Sequence, residues 1–435
     1  TMAPPAMAER ASDGNVSIIY WQAPSILNPY LSSGTKDIES SSLVIEPLGR
    51  YTETGAMVPY LAKEIPTVAN GGVSADLKSI TWQLKDGLKW SDGSAVTSAD
   101  VKFTADYCMN PDGGCSQLAK FDHVTSVETP DASTVVVSFA QPMPNPYGPF
   151  MGGQSPIIQK AQFENCVGAQ AQSCTEQNFG PIGTGPFVVT EFRPNDVIQM
   201  KANDNYRDPS KPAFATLTFK GGGDAMGAGR SVLETGEFDY AWNLQLAPDV
   251  IAKMEEGGKG VAIAGFGPLV ERLEMNLTDP SPSLDADTRA TVKAPHPFLT
   301  DINVRKALSM AIDRELLVEI GYGKAGGVTC DLVPAPDLYA AKNDYCKTQD
   351  IAGANALLDS AGWKKGGDGI RAKNGVKLSI LYQTSTNAVR QDFQSLIKEW
   401  WSQIGVETEL RNLNASVFFG GDPGSPDTFQ KFYAD

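Results

Sequence analysis

Two stretches of this 435-residue chain have the look of chemical machinery, and neither carries the residues to work as such. Ser395 and Lys398 have the Ser-x-x-Lys spacing that sets a hydroxyl beside an amine, as a nucleophile and its activator require. They lie inside a helix-period segment without the companion Ser-Asp-Asn and Lys-Thr-Gly motifs, so helical spacing accounts for them. GGGDAMGAGR (Gly221–Arg230) is rich enough in glycine to wrap a phosphate. It fits neither GxGxxG nor GxxxxGK[ST], and is expected to break the chain ahead of a helix. His123 and His296 stand in no metal or triad pattern. Asp422 and Asp427, in GGDPGSPD, read as turn residues rather than a carboxylate dyad. The expectation is a protein that is not an enzyme and uses no metal and no cofactor.

Recognition chemistry is better represented. Trp21 ends a strand-like run beside a proline-containing loop, and Trp242 sits in FDYAWNLQLAP with Asn243 and Gln245 close by. An indole face supplies stacking and the amides supply directional hydrogen bonds, the mixture a small-ligand site uses. Burial in a core is the competing account of both indoles. A second set, Tyr382, Gln383, Thr384, Ser385, Asn387 and Arg390, lies in YQTSTNAVR. The alternative for its Thr, Ser and Asn is that they cap a helix.

The elements that position this second set are legible. VKLSILYQT is a strand and NAVRQDFQSLIKEWWSQIG a helix with Val389, Phe393, Leu396, Trp400 and Ile404 on one face. VETELRN is a strand again. Strand, crossover helix and strand imply parallel pairing with a right-handed connection, and ligands of open α/β sheets sit outside the carboxyl ends of the strands. Elsewhere, VSIIYW reads as a strand and SSLVIEPLGRY as a short helix broken near Pro47. STVVVSFAQP is a strand, and FGPIGTGPFVVTEFRPNDVIQMKAN is a loop followed by an antiparallel pair. ERLEMNL (Glu271–Leu277) alternates as a strand, and INVRKALSMAIDRELLVEIG reads as one amphipathic helix stopped by Gly321.

The densest signal is TWQLKDGLKWSDGSAVTSADVKF, residues 81–103. Trp82 and Leu84, then Leu88 and Trp90, alternate around an Asp86-Gly87 turn, which predicts a hairpin. Ser91–Ser94 makes a second turn. Thr97 and Asp100 form a carboxylate version of the capping box that opens a helix.

Length predicts two or three domains. A net charge of −15 excludes nucleic acid, whose binding rests on Lys and Arg, and disfavours anionic membrane surfaces. No apolar run approaches the roughly 20 residues that span a bilayer. Six cysteines fall into close couples, Cys108 with Cys115, Cys166 with Cys174 and Cys330 with Cys346. Without CxxC spacing and with two histidines, they predict local disulfides and an oxidising compartment rather than zinc; free buried thiols are the alternative. TMAPPAMAERASDG has small residues but no apolar core, and reads as the tail of a removed signal peptide or an unstructured lead.

Residues 81–103 closely resemble the signature of the bacterial extracellular solute-binding proteins of the peptide, opine and nickel class, family five. Trp82, Leu84, Gly87, Leu88, Trp90, Asp92, Gly93, Val96, Thr97, Asp100, Val101 and Phe103 occupy its pattern in order. GAMVPYLAKEI, GTGPFVVTEF, HPFLTDINVRKALSMAIDR and DIAGANALLDSAGW resemble further family segments, with an unusual insertion between Asn276 and Pro297.

The resemblance implies an α/β, two-lobed periplasmic-binding-protein fold with a hinge and an extra small domain in the first lobe. Its implied boundaries are 9–46 for the first segment of lobe 1, 47–183 for the inserted domain, 184–262 for the return segment and 263–435 for lobe 2, with a crossover near Gly260–Gly267. It implies a monomeric, periplasmic component of an ABC importer that captures a small ligand, an oligopeptide first and an opine or short oligosaccharide second, and delivers it to permease subunits. By position the ligand residues are Trp21, Gln22, Ala23 and Pro24; Trp242, Asn243 and Gln245; and Tyr382 to Arg390. Arg272 and Arg390 are candidates to pair with a ligand carboxylate. Relatives continue past the last strand–helix–strand unit, so the resemblance further implies that lobe 2 is incomplete at Asp435. In peptide-binding relatives the stretch beyond it carries the acidic partner of the peptide amino group.

Overall fold

A computed structural model of the chain describes residues 9–265, 267, 269–335, 339–420 and 425–435. The chain forms two compact units. One takes the residues up to Asp224, with Phe238–Trp242 and a short piece from Phe419; the other takes Ala225–Glu237, Asn243–Phe418 and the last residues to Asp435.

The first unit contains two sheets with separate cores. β1 (Asp13–Tyr20) lies parallel to β9 (Phe214–Gly221) and to the short β10 (Tyr240–Ala241), and β8 (Val197–Ala202) and β7 (Phe187–Arg193) continue the sheet antiparallel beyond β9. Tyr20, Phe187, Ile198, Met200, Leu217 and Phe219 fill its core with Leu27, Val44 and Ile45. The second sheet orders β4 (Ser79–Gln83), β6 (Thr134–Phe139) and β5 (Val124–Glu128), all antiparallel. Helix α2 (Ser98–Met109) packs against it, and β2 (Gly49–Tyr51) pairs with β3 (Met57–Pro59) nearby in the chain. Short helices α1 (Thr35–Ser41), α3 (Lys160–Phe163) and α4 (Thr175–Phe179) complete this unit.

Local sequence chemistry explains much of this. Thr97 caps α2, its backbone N–H donating to Asp100 Oδ2 at 2.9 Å, as a capping box should. Gly183 and Gly185 of the GTGPF segment pass against the backbone of Val44: a Cβ at Gly183 would stand 1.8 Å from the Val44 carbonyl oxygen. Cys108–Cys115, Cys166–Cys174 and Cys330–Cys346 are disulfide-bonded.

Several expectations are corrected. Trp82, Leu84, Leu88 and Trp90 are all buried, but they do not form a hairpin with each other. β4 pairs with β6 instead, while Lys89 makes only an isolated bridge to Ala95. The turn at Gly87 is real, with φ +70°; the uninterrupted Val135–Val137 run offers β4 a better partner. The helix expected in SSLVIEPLGRY lies earlier, as α1, and Val44 and Ile45 enter the core from a turn.

In the second unit, α5 (Ala225–Leu233) begins inside the glycine-rich stretch, after Gly222 and Gly223 at φ +91° and +86°. It packs on α6 (Pro248–Glu255) through Gly229, where an added Cβ would meet Met254 Sδ at 3.0 Å. Residues 243–262 lie in the second compact unit. Of the crossover stretch, Phe266 lies outside the described residues, as does Asp422.

The single helix expected over 302–321 is two, α7 (Ile302–Met310) and α8 (Arg314–Gly321), because Asp313 restarts the helix by accepting a bond from the Leu316 N–H at 3.0 Å. Glu271–Leu277 is extended but not a strand, with Leu273 and Met275 packed on the core. Helix α9 (Ile351–Ser360) precedes a small antiparallel ribbon, β11 (Lys364–Lys365), β12 (Arg371–Lys373) and β13 (Val376–Lys377). β14 (Ser379–Ser385), α10 (Ala388–Gln403) and β15 (Glu407–Leu413) then form the expected parallel unit, Ser379 facing Glu407 and Ser385 facing Leu413. Trp401 is core, its indole N–H donating to the Leu308 carbonyl at 3.0 Å.

Candidate functional site

The carboxyl end of β14 delivers Thr384 and Ser385 to the start of α10, where Asn387 is the N-cap. Asn387 Oδ1 accepts the Arg390 backbone N–H at 3.0 Å, and its Nδ2 donates to Gln245 Oε1. Gln245 Nε2 in turn donates to the Tyr322 hydroxyl at 3.2 Å, which donates to Glu271 Oε2 at 3.0 Å. Arg390 closes the set: Nε donates to Glu271 Oε1 at 2.8 Å and a terminal nitrogen to Oε2 at 3.0 Å. Three residues read from the sequence, Gln245, Asn387 and Arg390, are therefore joined in one network through two that were missed, Glu271 and Tyr322.

The electrostatics follow. Burial holds the Tyr322 and Tyr382 hydroxyls well above the usual phenol range, and the Glu271 carboxylate raises both further. Burial opposes the Arg390 charge, but Glu271 more than compensates and keeps the guanidinium firmly protonated. Neutral phenols beside a matched ion pair suit hydrogen bonding and offer no general base.

The other residues of the strand end are placed more deeply. Tyr382 packs its ring 5.9 Å from that of Trp401. Ser385 is fully buried, and Ser385 Oγ and Gln383 Oε1 are buried without hydrogen-bond partners among the described residues. Arg272 pairs with its neighbour Glu274 rather than joining Arg390. A cavity of about 600 Å³, lined by Ser379, Lys398, Glu407 and Thr408 among others, opens at the amino end of the strands, away from this set.

On the first unit, Trp21, Gln22, Ala23 and Pro24 are all buried in the segment after β1. The Pro24 carbonyl accepts the Asn195 N–H at 3.0 Å, and Ala23 approaches Gly221 so closely that a Cβ there would stand 2.5 Å from its own. Trp242 stacks on Tyr20, ring centroids 4.7 Å apart and 10° from parallel, and its backbone N–H donates to the Ile19 carbonyl. Asn243, which follows, has φ +53°. Among the described residues no group of three or more His, Cys, Asp or Glu side chains is arranged to hold a metal ion, and no helix is long and apolar enough to cross a membrane.

Comparison with known proteins shows the family. A family model for bacterial extracellular solute-binding proteins, family 5 middle, matches residues 56–430. The chain is 28% identical over 400 residues to Protein XP55 of Streptomyces lividans, covering 91% of this chain and 66% of that protein. It is 25% identical over 404 residues to the oligopeptide-binding protein AppA of Bacillus subtilis, covering 91% and 68% respectively. The chain thus spans about two thirds of the length of these curated relatives. The solved structure of AppA in complex with a nonapeptide matches with a TM-score of 0.74 at 23% identity, over 94% of this chain and 76% of that one. AgaA from A. tumefaciens R10 in complex with agropinic acid matches with a TM-score of 0.70 at 21% identity, over 93% and 73%. These structural neighbours are two-lobed periplasmic binding proteins of mixed α/β architecture, and the homologues are solute-binding proteins, not enzymes.

Proposed function

The chain belongs to the bacterial extracellular solute-binding proteins, family 5, and on that premise we propose that it is the substrate-binding component of an ABC importer, capturing an oligopeptide and handing it to membrane permease subunits. The observation that carries this reading is the family match over residues 56–430. AppA, named as oligopeptide-binding, favours a peptide ligand. AgaA in complex with agropinic acid makes an opine the second reading, and a short oligosaccharide is its third form. Capture is proposed to follow the two-lobed mode that the resemblance implies, ligand held between lobes that close about a hinge. Three disulfides fit a protein that works in an oxidising compartment, and we place it in the periplasm as a monomer, exported by a signal peptide that is removed.

The proposed ligand contacts are Trp21 to Pro24, Trp242, Asn243, Gln245, Arg272, and Tyr382 to Arg390. Arg390 already holds a carboxylate, that of Glu271, so an incoming ligand carboxylate has to displace it or bind alongside.

Native mass spectrometry of the protein as purified, followed by denaturation, tests the reading. A released peptide supports it. A released opine or sugar transfers the proposal to the second reading. Turnover of a peptide or glycan without any partner protein overturns both.

A further inference from the structure

Arg272 and Arg390 are the two cations among the proposed ligand contacts, and the second unit matches each to a glutamate of its own. Arg272 Nε donates to Glu274 Oε1 at 2.8 Å. Arg390 commits its Nε and one terminal nitrogen to the two oxygens of Glu271. Glu271 accepts a third bond, from the Tyr322 hydroxyl. Gln245 joins Tyr322 to Asn387, and Asn387 returns to α10 by accepting the Arg390 backbone N–H. Hydrogen bonds thus run in a closed ring from Arg390 through Glu271, Tyr322, Gln245 and Asn387 back to Arg390, all within the second unit.

The pair is nevertheless reachable from solvent, the Arg390 and Glu271 side chains keeping 21% and 34% of their surface exposed. A ligand arriving there meets a guanidinium whose charge is already answered. A second carboxylate would share that guanidinium with Glu271, and two like charges in contact repel. Displacing Glu271 would leave a part-buried carboxylate with a phenol as its remaining partner, which is costly. Amides and hydroxyls meet neither cost. They match the amides of Gln245 and Asn387 and the neutral phenols of Tyr322 and Tyr382.

We infer, resting on the peptide reading above, that Glu271 determines specificity: it is a built-in carboxylate that closes Arg390 to the free carboxylates of ligands. The part of the ligand that meets this set is then uncharged, a peptide's backbone or side-chain amides rather than its carboxyl terminus.

Occupation of Arg390 is tested by thermal unfolding in sodium acetate against sodium chloride of equal ionic strength. Acetate supplies the carboxylate that Glu271→Ala lacks, so the Tm of that variant should gain about 2 °C more from acetate than the parent's does. The Glu271→Ala/Arg390→Ala double variant should lose that gain. Selectivity is read by dialysing the protein against an equimolar pool of random pentapeptides, as free acids and as carboxyl-terminal amides, and identifying what is retained by mass spectrometry. Glu271→Gln should shift the retained acid-to-amide ratio about tenfold toward acids, the size of one charge-assisted pair gained. Glu256→Gln, at the exposed pair with Lys253, should leave the ratio within about twofold. Glu271→Gln keeps the side chain's shape and remains the readable variant where Glu271→Ala does not fold. Retention of no peptide by any of these proteins overturns the peptide reading, while the acetate response still decides whether Glu271 holds a carboxylate position. A ratio unchanged in Glu271→Gln, or an acetate response of Glu271→Ala equal to the parent's, overturns the role of Glu271.

Discussion

Arg390 and Glu271, 119 residues apart, meet fork to fork, with two nitrogen–oxygen bonds of 2.8 and 3.0 Å. The arginine stands in the first turn of α10, where the helix amides already favour negative charge. Glu271 answers that guanidinium with both of its oxygens, and it also accepts the Tyr322 hydroxyl.

Arg390→Ala should destabilise the second unit by about 1–2 kcal/mol, since it leaves Glu271 with a phenol as its remaining partner, at a pair only partly screened by solvent. Chemical denaturation of Arg390→Ala, Glu271→Ala and the double variant checks this. A coupling near zero would mean the bidentate geometry contributes nothing.

Gly183→Ala should be among the most damaging single changes, costing about 3 kcal/mol, because a Cβ at that position would collide with the rigid backbone at Val44 rather than with a movable side chain. Gly14→Ala, where nothing lies within 4 Å, should be nearly silent. Thermal melts of the two variants side by side separate the effect of close approach from any general intolerance of glycine replacement.

Each disulfide should contribute about 2–3 kcal/mol through the unfolded chain, Cys330–Cys346 at the upper end because its sequence separation of 16 exceeds the 7 and 8 of the others. Paired Cys→Ser variants compared in denaturant give the three values. A smaller loss for Cys330–Cys346 than for the short loops would contradict the loop-entropy ordering.

Asp131 gives a pH signature. Hydrogen bonds from Thr134 and Ser133 hold its carboxyl at about 2, below the ordinary 3.8. A lowered folded value means that its contribution is present above pH 4 and lost as pH falls toward 2. Asp131→Asn should flatten that part of the acid limb in a plot of Tm against pH and leave the region above pH 5 parallel to the parent.

Short-range devices were the legible part of this fold. The Thr97–Asp100 cap, the Gly87 turn, the three cysteine couples and the β14–α10–β15 unit all follow from residues within a few positions or one element of each other. What failed was pairing over distance. Nothing in TWQLKDGLKW tells Ser79–Gln83 that its neighbour is Thr134–Phe139 rather than Leu88–Trp90, because both alternate suitably and only the packed core chooses. The same limit hid Glu271 and Tyr322. Gln245, Asn387 and Arg390 announce themselves by type and by position at a strand end, whereas an ion pair across 119 residues leaves no spacing to read. Arg272 stands out in the sequence by its charge, whereas its predecessor Glu271, which joins Arg390, does not.

The two ends of the Asn387 amide impose opposite demands on any descendant of this sequence. Aspartate or serine would keep the oxygen that starts α10 but lose the nitrogen that reaches Gln245, and aspartate would set two acceptors against each other. Glutamine keeps both atoms at the wrong reach. A lineage that drifts at position 387 must therefore change position 245 in company with it, so the two should vary as a pair even though 142 residues separate them.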